Sequence, residues 1–129
     1  MDFSFSEEQE AVTDLAAQIF EGMADVDRVR TVERSVEPFD RELWAQLAEA
    51  GLLGIGLPEA HGGAGLGLIE ALLVLEQQGR RVAPVPYWST IVVGALALAE
   101  IGSEAQQDRV AGIVAGDTIV SAALDQEGS

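Results

Sequence analysis

Val12, Leu15, Ala16, Ile19 and Met23 recur at the three- and four-residue spacing of one helix face, and Phe20 widens the stripe. Ser6-Glu7-Glu8-Gln9 precedes them as a capping box, with Ser6 at the N-cap and Gln9 three residues on. Glu7, Glu8 and Glu10 suit the positive end of a helix dipole. This pattern predicts a first helix over about 7–24. Residues 25–39 are polar and charged, with Arg28, Arg30 and Arg34 among acids, and read as a connecting stretch ended by Pro38. Asp40 is a good N-cap for a second helix over about 41–50, which puts Leu43, Trp44 and Leu47 on one face before Gly51 closes it.

Periodicity then vanishes. Residues 51–67 hold Gly51, Gly54, Gly56, Gly62, Gly63, Gly65 and Gly67, too many for a regular helix, so a folded loop with close backbone approaches is expected. A third helix follows over about 68–78, apolar nearly all round and hence expected to be buried on most sides, with Gly79 ending it. Pro84 and Pro86 make a stiff extended connector. A fourth helix of small apolar residues is expected from about Ser89 to Glu100. A second capping box, Ser103-Glu104-Ala105-Gln106, starts a fifth through Ala115.

After the turn pair Gly116-Asp117 comes Thr118-Ile119-Val120-Ser121-Ala122-Ala123-Leu124, β-branched and apolar, which reads as one short strand. A lone strand leaves its backbone groups without partners. The expected fold is therefore all-α: an orthogonal or up-down bundle of about five helices over residues 1–116. Residues 117–129 carry one short C-terminal strand that would start a β-domain beyond the chain.

Composition narrows the function classes. Of the 129 residues, 22 are acidic and 7 basic, all arginine, for a net charge of −15. Phosphate-rich partners need a basic face, so nucleic acid and anionic membrane are not expected partners. No run approaches the roughly 18 apolar residues of a membrane span, and Met1-Asp2-Phe3-Ser4 lacks the basic and apolar regions of a signal peptide. Cytoplasm is the default compartment. The absence of cysteine excludes disulfides, thiol catalysis and cysteine-based metal sites. Aromatic content is 5%, so the core must rest mainly on Ala, Leu, Val and Ile.

Candidate chemistry is sparse. His61 is the sole histidine and has no partner at a defined spacing; packing within the loop is the expected role. Glu70 and Glu76, six residues apart on the third helix, face different ways and form no paired-carboxylate site. Each reads as an acid satisfied by an arginine or the backbone. The glycine-rich loop contains no phosphate-loop signature and follows a helix rather than a strand. Tyr87, Trp88, Ser89 and Thr90 open the fourth helix behind the proline connector, either as ordinary core aromatics or as the lining of an apolar cavity. No catalytic constellation and no metal site is predicted.

The order of segments carries a resemblance. Phe5-Ser6-Glu7-Glu8-Gln9 is followed by Leu43-Trp44 and then by Ala50-Gly51-Leu52-Leu53-Gly54-Ile55. Leu57-Pro58-Glu59 and Gly62-Gly63-Ala64-Gly65-Leu66 come next, then Gly102-Ser103-Glu104, Gln106, Gly116-Asp117 and Ala122-Ala123-Leu124. Along its whole length the chain resembles the N-terminal helical domain of the acyl-CoA dehydrogenase family. That resemblance implies a subunit with a middle β-domain and a C-terminal helical domain, and FAD as cofactor. It implies α,β-dehydrogenation of an acyl-CoA thioester, with a glutamate base outside this chain. Electrons would leave to an electron-transferring flavoprotein.

The resemblance also assigns residues. Glu76, Tyr87, Trp88, Ser89, Thr90 and Ile91 would line the acyl pocket, and Ala122, Leu124 and Asp125 would meet the flavin. The connector Val82-Ala83-Pro84-Val85-Pro86 is similar to that of members acting on branched or ring-bearing thioesters. One departure stands out. The family's flavin strand usually ends Leu-Thr-Glu-Pro-Gly, whereas here it reads Leu124-Asp125-Gln126-Glu127-Gly128. Asp125 replaces a hydroxyl donor by a carboxylate that, when ionised, only accepts. The alternative reading is therefore a non-catalytic structural subunit of a mixed acyl-CoA dehydrogenase oligomer. As partners, the resemblance implies a homo- or hetero-oligomer of the same family.

Overall fold

A computed structural model of the chain describes residues 1–125. Helices α1 (Glu7–Met23), α2 (Val26–Glu33), α3 (Arg41–Glu49) and α4 (Leu68–Arg81) form the first part. A π-helical stretch, Trp88–Ala95, runs without a break into α5 (Leu96–Ile101), and α6 (Glu104–Gln107) and α7 (Val110–Val114) complete the order. α1 packs along α4 and on α3, and the π stretch packs on α4 and α7. The fold is helical, as the hydrophobic pattern predicts.

Local chemistry explains each start. Ser6 accepts from the Gln9 amide at 3.2 Å while the Gln9 side chain accepts from the Ser6 amide at 3.0 Å, so both halves of the first capping box form. Ser103 and Gln106 repeat it ahead of α6. Asp40 caps α3 by accepting from the Leu43 amide at 3.0 Å. Val12, Ala16 and Phe20 of α1 and Leu43, Trp44 and Leu47 of α3 are buried in one core with Leu52, Leu53, Leu57, Val74 and Ile91. Each large apolar side chain among them stabilises the fold by about 1.5–3 kcal/mol through removal from water.

Several boundaries differ from expectation for identifiable reasons. Residues 25–39 contain α2, whose N-cap Asp25 accepts from the amides of Asp27 and Arg28 at 3.0 Å. None of its residues is buried, so no apolar stripe announced it. Instead Arg28 reaches across to Asp40 with two bonds of 2.7 and 2.8 Å and to Glu42 at 2.9 Å. Gly79 does not end α4. The helix continues to Arg81, and Val82 closes it in the left-handed region at φ 51°. That conformation costs a β-branched residue about 1–2 kcal/mol. It is held by the Gln78 side-chain amide, which donates to the carbonyls of Ala83 (3.0 Å) and Val85 (2.7 Å).

α4 is also less buried than its sequence implies: Leu68, Ile69 and Leu72 are exposed. The expected fifth helix is broken at Asp108–Arg109, after which Val110 and Ile113 are fully buried. The expected strand over 118–124 does not form among the described residues. A strand requires a paired neighbour, and here the segment lies on helices instead, with the amides of Asp117 and Thr118 donating to the Gly112 carbonyl. Of the expected second segment, 117–129, residues 126–129, and with them Gln126, Glu127 and Gly128 of the flavin-strand reading, lie outside the described residues.

The glycine-rich loop is a closed hydrogen-bonded unit. Leu57 and Ala64 donate to the Gly54 carbonyl, Gly63 to Pro58, Gly65 to Leu57 and Leu66 to Ile55, all within 2.8–3.1 Å. Any Cβ at Gly63 would overlap the Leu57 carbonyl, so only glycine lets the two passes of backbone meet.

Candidate functional site

The proline connector delivers the chain to the residues singled out by the sequence. Its carbonyls at Ala83 and Val85 are held by Gln78, and the Asp40 amide donates to the Pro84 carbonyl at 2.9 Å. The entry to the π-helical stretch is thereby fixed from both α4 and α3.

Tyr87 is fully buried, and its hydroxyl donates to the Leu52 carbonyl at 2.7 Å, tying the connector to the glycine-rich loop. Burial pushes its pKa well above the ordinary phenol value, so it stays a neutral donor. Trp88 turns outward and is 55% exposed. Ser89 is half-buried, its hydroxyl 3.4 Å from the Pro86 carbonyl. Thr90 and Ile91 are fully buried, and the Thr90 hydroxyl donates to the Val120 carbonyl at 2.8 Å. The Leu96 amide donates to the Ile91 carbonyl, five residues back, which is the π register.

Glu76 lies elsewhere. It is exposed and paired with Arg80 at 2.9 Å, on a groove between α1 and α4 that also includes Phe5, Thr13 and Gln77. Glu70 accepts from the Gln9 side chain at 3.0 Å, which links α4 to the start of α1. His61 sits half-buried in the single turn Glu59–His61 of the loop. Ala122, Leu124 and Asp125 are exposed on the segment that follows Val120. The structure thus gathers Tyr87 to Ile91 and, through Thr90, the segment leading to Ala122, Leu124 and Asp125. It does not gather Glu76 with them.

Two features of the site were not anticipated from the sequence. Gly94 of the π stretch faces Val120 so closely that a Cβ there would lie 2.5 Å from a Val120 methyl. Gly112 of α7 faces Thr118, whose hydroxyl would lie 2.8 Å from such a Cβ. Glycine inside an apolar helical pattern is the one signal that points to a close approach of this kind.

Chemically, residues 87–91 can bind and shape but cannot transfer a proton near neutral pH: Tyr87 is held neutral, and the hydroxyls of Tyr87 and Thr90 are already donating to carbonyls. Among the described residues no cluster of His, Asp or Glu fits a metal ion, and no helix is long and apolar enough to cross a membrane.

Comparison with known proteins identifies the family. Residues 6–117 match the family model described as acyl-CoA dehydrogenase, N-terminal domain. The chain is 38% identical over 128 residues to acyl-CoA dehydrogenase FadE27 of Mycobacterium tuberculosis, covering 98% of this chain and 34% of that protein. It is 32% identical to FadE28 of the same organism, covering 100% of this chain and 33% of the relative. Among solved structures, the Tcur3481-Tcur3483 steroid ACAD superposes with a TM-score of 0.90 at 50% identity, over 95% of this chain and 34% of that one. The ChsE4-ChsE5 complex from Mycobacterium tuberculosis does so with a TM-score of 0.91 at 37% identity, over 100% of this chain and 36% of that one. The chain spans about a third of the length of the curated relatives it matches. By the family model and by these relatives, the chain belongs to the acyl-CoA dehydrogenase family and corresponds to its N-terminal domain.

Proposed function

We propose that this chain is the part of an FAD-dependent acyl-CoA dehydrogenase subunit that shapes the acyl pocket in the α,β-dehydrogenation of an acyl-CoA thioester. The observation that carries this reading is the 50% identity, over 95% of the chain, to the Tcur3481-Tcur3483 steroid ACAD. It favours a bulky, ring-bearing acyl group over a plain fatty chain. The exposed indole of Trp88 and the half-buried Ser89 are the contacts offered to that group. Tyr87, Thr90 and Ile91, fully buried behind them, hold the wall in place. Glu76, exposed in the groove between α1 and α4 and paired with Arg80, stands apart from this wall and is not among its contacts. No residue of this chain is assigned as the base that takes the α-proton.

The chain's residues fit the flavin in part. Among the described residues, the backbone groups of residues 121–125 have no hydrogen-bond partner, so Ala122, Leu124 and Asp125 can offer amides and carbonyls to a polar ring edge. FAD, when bound, supplies the acceptor for the β-hydride. The Asp125 side chain fits less well, because an ionised carboxylate has no proton to donate.

That misfit favours a second reading, a non-catalytic structural subunit paired with an unlike family member. The ChsE4-ChsE5 complex, a pairing of two differently named chains, is the precedent for such an assembly. An electron-transferring flavoprotein is the proposed electron acceptor only under the first reading. The absorption spectrum of the purified full-length gene product separates the two. A flavin band, together with loss of acyl-CoA turnover in Trp88→Ala, supports the first. A colourless protein that acquires flavin and activity only with a co-expressed family subunit supports the second.

A further inference from the structure

The segment 117–120 rests on two helices by the same device. On α7, Gly112 leaves room for the Thr118 hydroxyl, and its carbonyl accepts from the Asp117 and Thr118 amides at 3.0 and 3.1 Å. On the π stretch, Gly94 leaves room for a Val120 methyl, and Thr90 donates to the Val120 carbonyl at 2.8 Å. Thr90 is fully buried and thirty residues away from its acceptor in sequence. A threonine in a helix usually turns its hydroxyl to its own preceding turn; here it reaches a different segment. The π register, with its hydrogen bonds to the fifth residue back, occupies the same eight residues that present Thr90 and Gly94.

We propose that Thr90 and Gly94 are positioning residues: they seat Val120 on the pocket helix and so set the path of Ala122, Leu124 and Asp125, with the Thr90 hydroxyl committed to the chain rather than to a bound acyl group. The consequence for flavin and substrate rests on the function proposed above; the seat itself does not. It makes the pocket wall and the flavin-facing segment a single mechanical unit, since moving Trp88 and Ser89 moves Thr90 with them.

The test uses the full-length protein with Thr90→Val, Thr90→Ser, Gly94→Ala and the double variant Gly94→Ala/Val120→Ala. Methyl NMR reads the contact between the Val120 methyls and the Gly94 α-protons. Thr90→Val keeps the side-chain shape and removes the donor. It should weaken that contact and lower flavin affinity about fivefold, the factor that one net hydrogen bond gives, with any rise in KM for the acyl thioester accompanying that loss and not replacing it. Thr90→Ser should restore both. Gly94→Ala should displace Val120, and shrinking Val120 to alanine in the double variant should bring flavin affinity back. The proposal is overturned if Thr90→Val keeps the Val120–Gly94 contact, or if its effect falls on KM alone. It is equally overturned if the double variant is no better than Gly94→Ala. Should the wild-type protein hold no flavin, the dehydrogenase reading fails, and the NMR contact in Thr90→Val and Thr90→Ser still decides the seat.

Discussion

The glycine-rich loop 51–67 and the segment 118–125 are both irregular, and they solve the same problem in opposite ways. The loop meets the need of its backbone for partners internally: the carbonyls of Gly54, Ile55, Leu57 and Pro58 are all used by amides within the loop, and Leu52, Leu53 and Leu57 are buried beneath it. The later segment borrows its support. Its fixed points are the Gly112 carbonyl and the Thr90 hydroxyl, and residues 121–125 are exposed. Irregular backbone is rigid where its polar groups are closed on one another, and it depends on its surroundings where they are not. The first is a scaffold. The second takes its support from α7 and the π-helical stretch.

That contrast can be broken by mutation. Gly63→Ala places a Cβ into the Leu57 carbonyl, and should destabilise the chain by about 3 kcal/mol or more, or prevent folding. A denaturant midpoint close to wild type would show that the loop is softer than its hydrogen bonding implies. Asp40→Asn removes the charge that Arg28 grips at the start of α3 while keeping an N-cap for that helix. A loss of about 2 kcal/mol is expected, discounted for the one-third exposure of Arg28.

The same residue sets an acid limit. The hydrogen-bonded Arg28 guanidinium holds the Asp40 carboxyl below its ordinary value, so the unfolded chain takes up the proton first. This contribution is therefore fully present above about pH 4, the ordinary carboxylate value, and is lost as pH falls through the lower folded value. Thermal melts of wild type and Asp40→Asn should converge over that acid range. Parallel curves would remove Asp40 from the account.

Tyr87→Phe should cost about 1 kcal/mol by leaving the Leu52 carbonyl without its donor inside the core, read as a shift in urea midpoint with unchanged slope. At the other extreme, Leu124→Ser on the exposed segment should change the stability of the helical part by less than about 0.5 kcal/mol. A large loss there would mean that residues 121–125 support the core, against the contrast drawn above.

The helices were legible where capping and apolar period coincided. Ser6 with Gln9 opens α1, Asp40 opens α3, and Leu43, Trp44 and Leu47 go inward as their spacing requires. α2 was not legible, because it is held by a charge pair to a residue twelve positions on rather than by a buried stripe. α4 ran past Gly79 because a helix interior tolerates glycine when tertiary contacts continue, and here the stop is set by Gln78 gripping the connector. The site was legible only as a neighbourhood. Tyr87 to Ile91 could be placed at a helix start, but which of them face out depends on the π register, and no residue type encodes that register by itself. The segment 118–124 has strand composition, and composition cannot provide the neighbouring strand that hydrogen bonding demands.

The two tryptophans have opposite environments. Trp44 is 2% exposed beside Phe39, and its indole N–H has no partner among the described residues, while Trp88 is 55% exposed. In fluorescence this chain thus carries two reporters that one quencher separates. Iodide reaches Trp88 and leaves Trp44 emitting, at the blue wavelengths of an indole without hydrogen bonds. In Trp88→Phe the chain's remaining indole follows the packing of α3, while in Trp44→Phe it follows whatever covers Trp88.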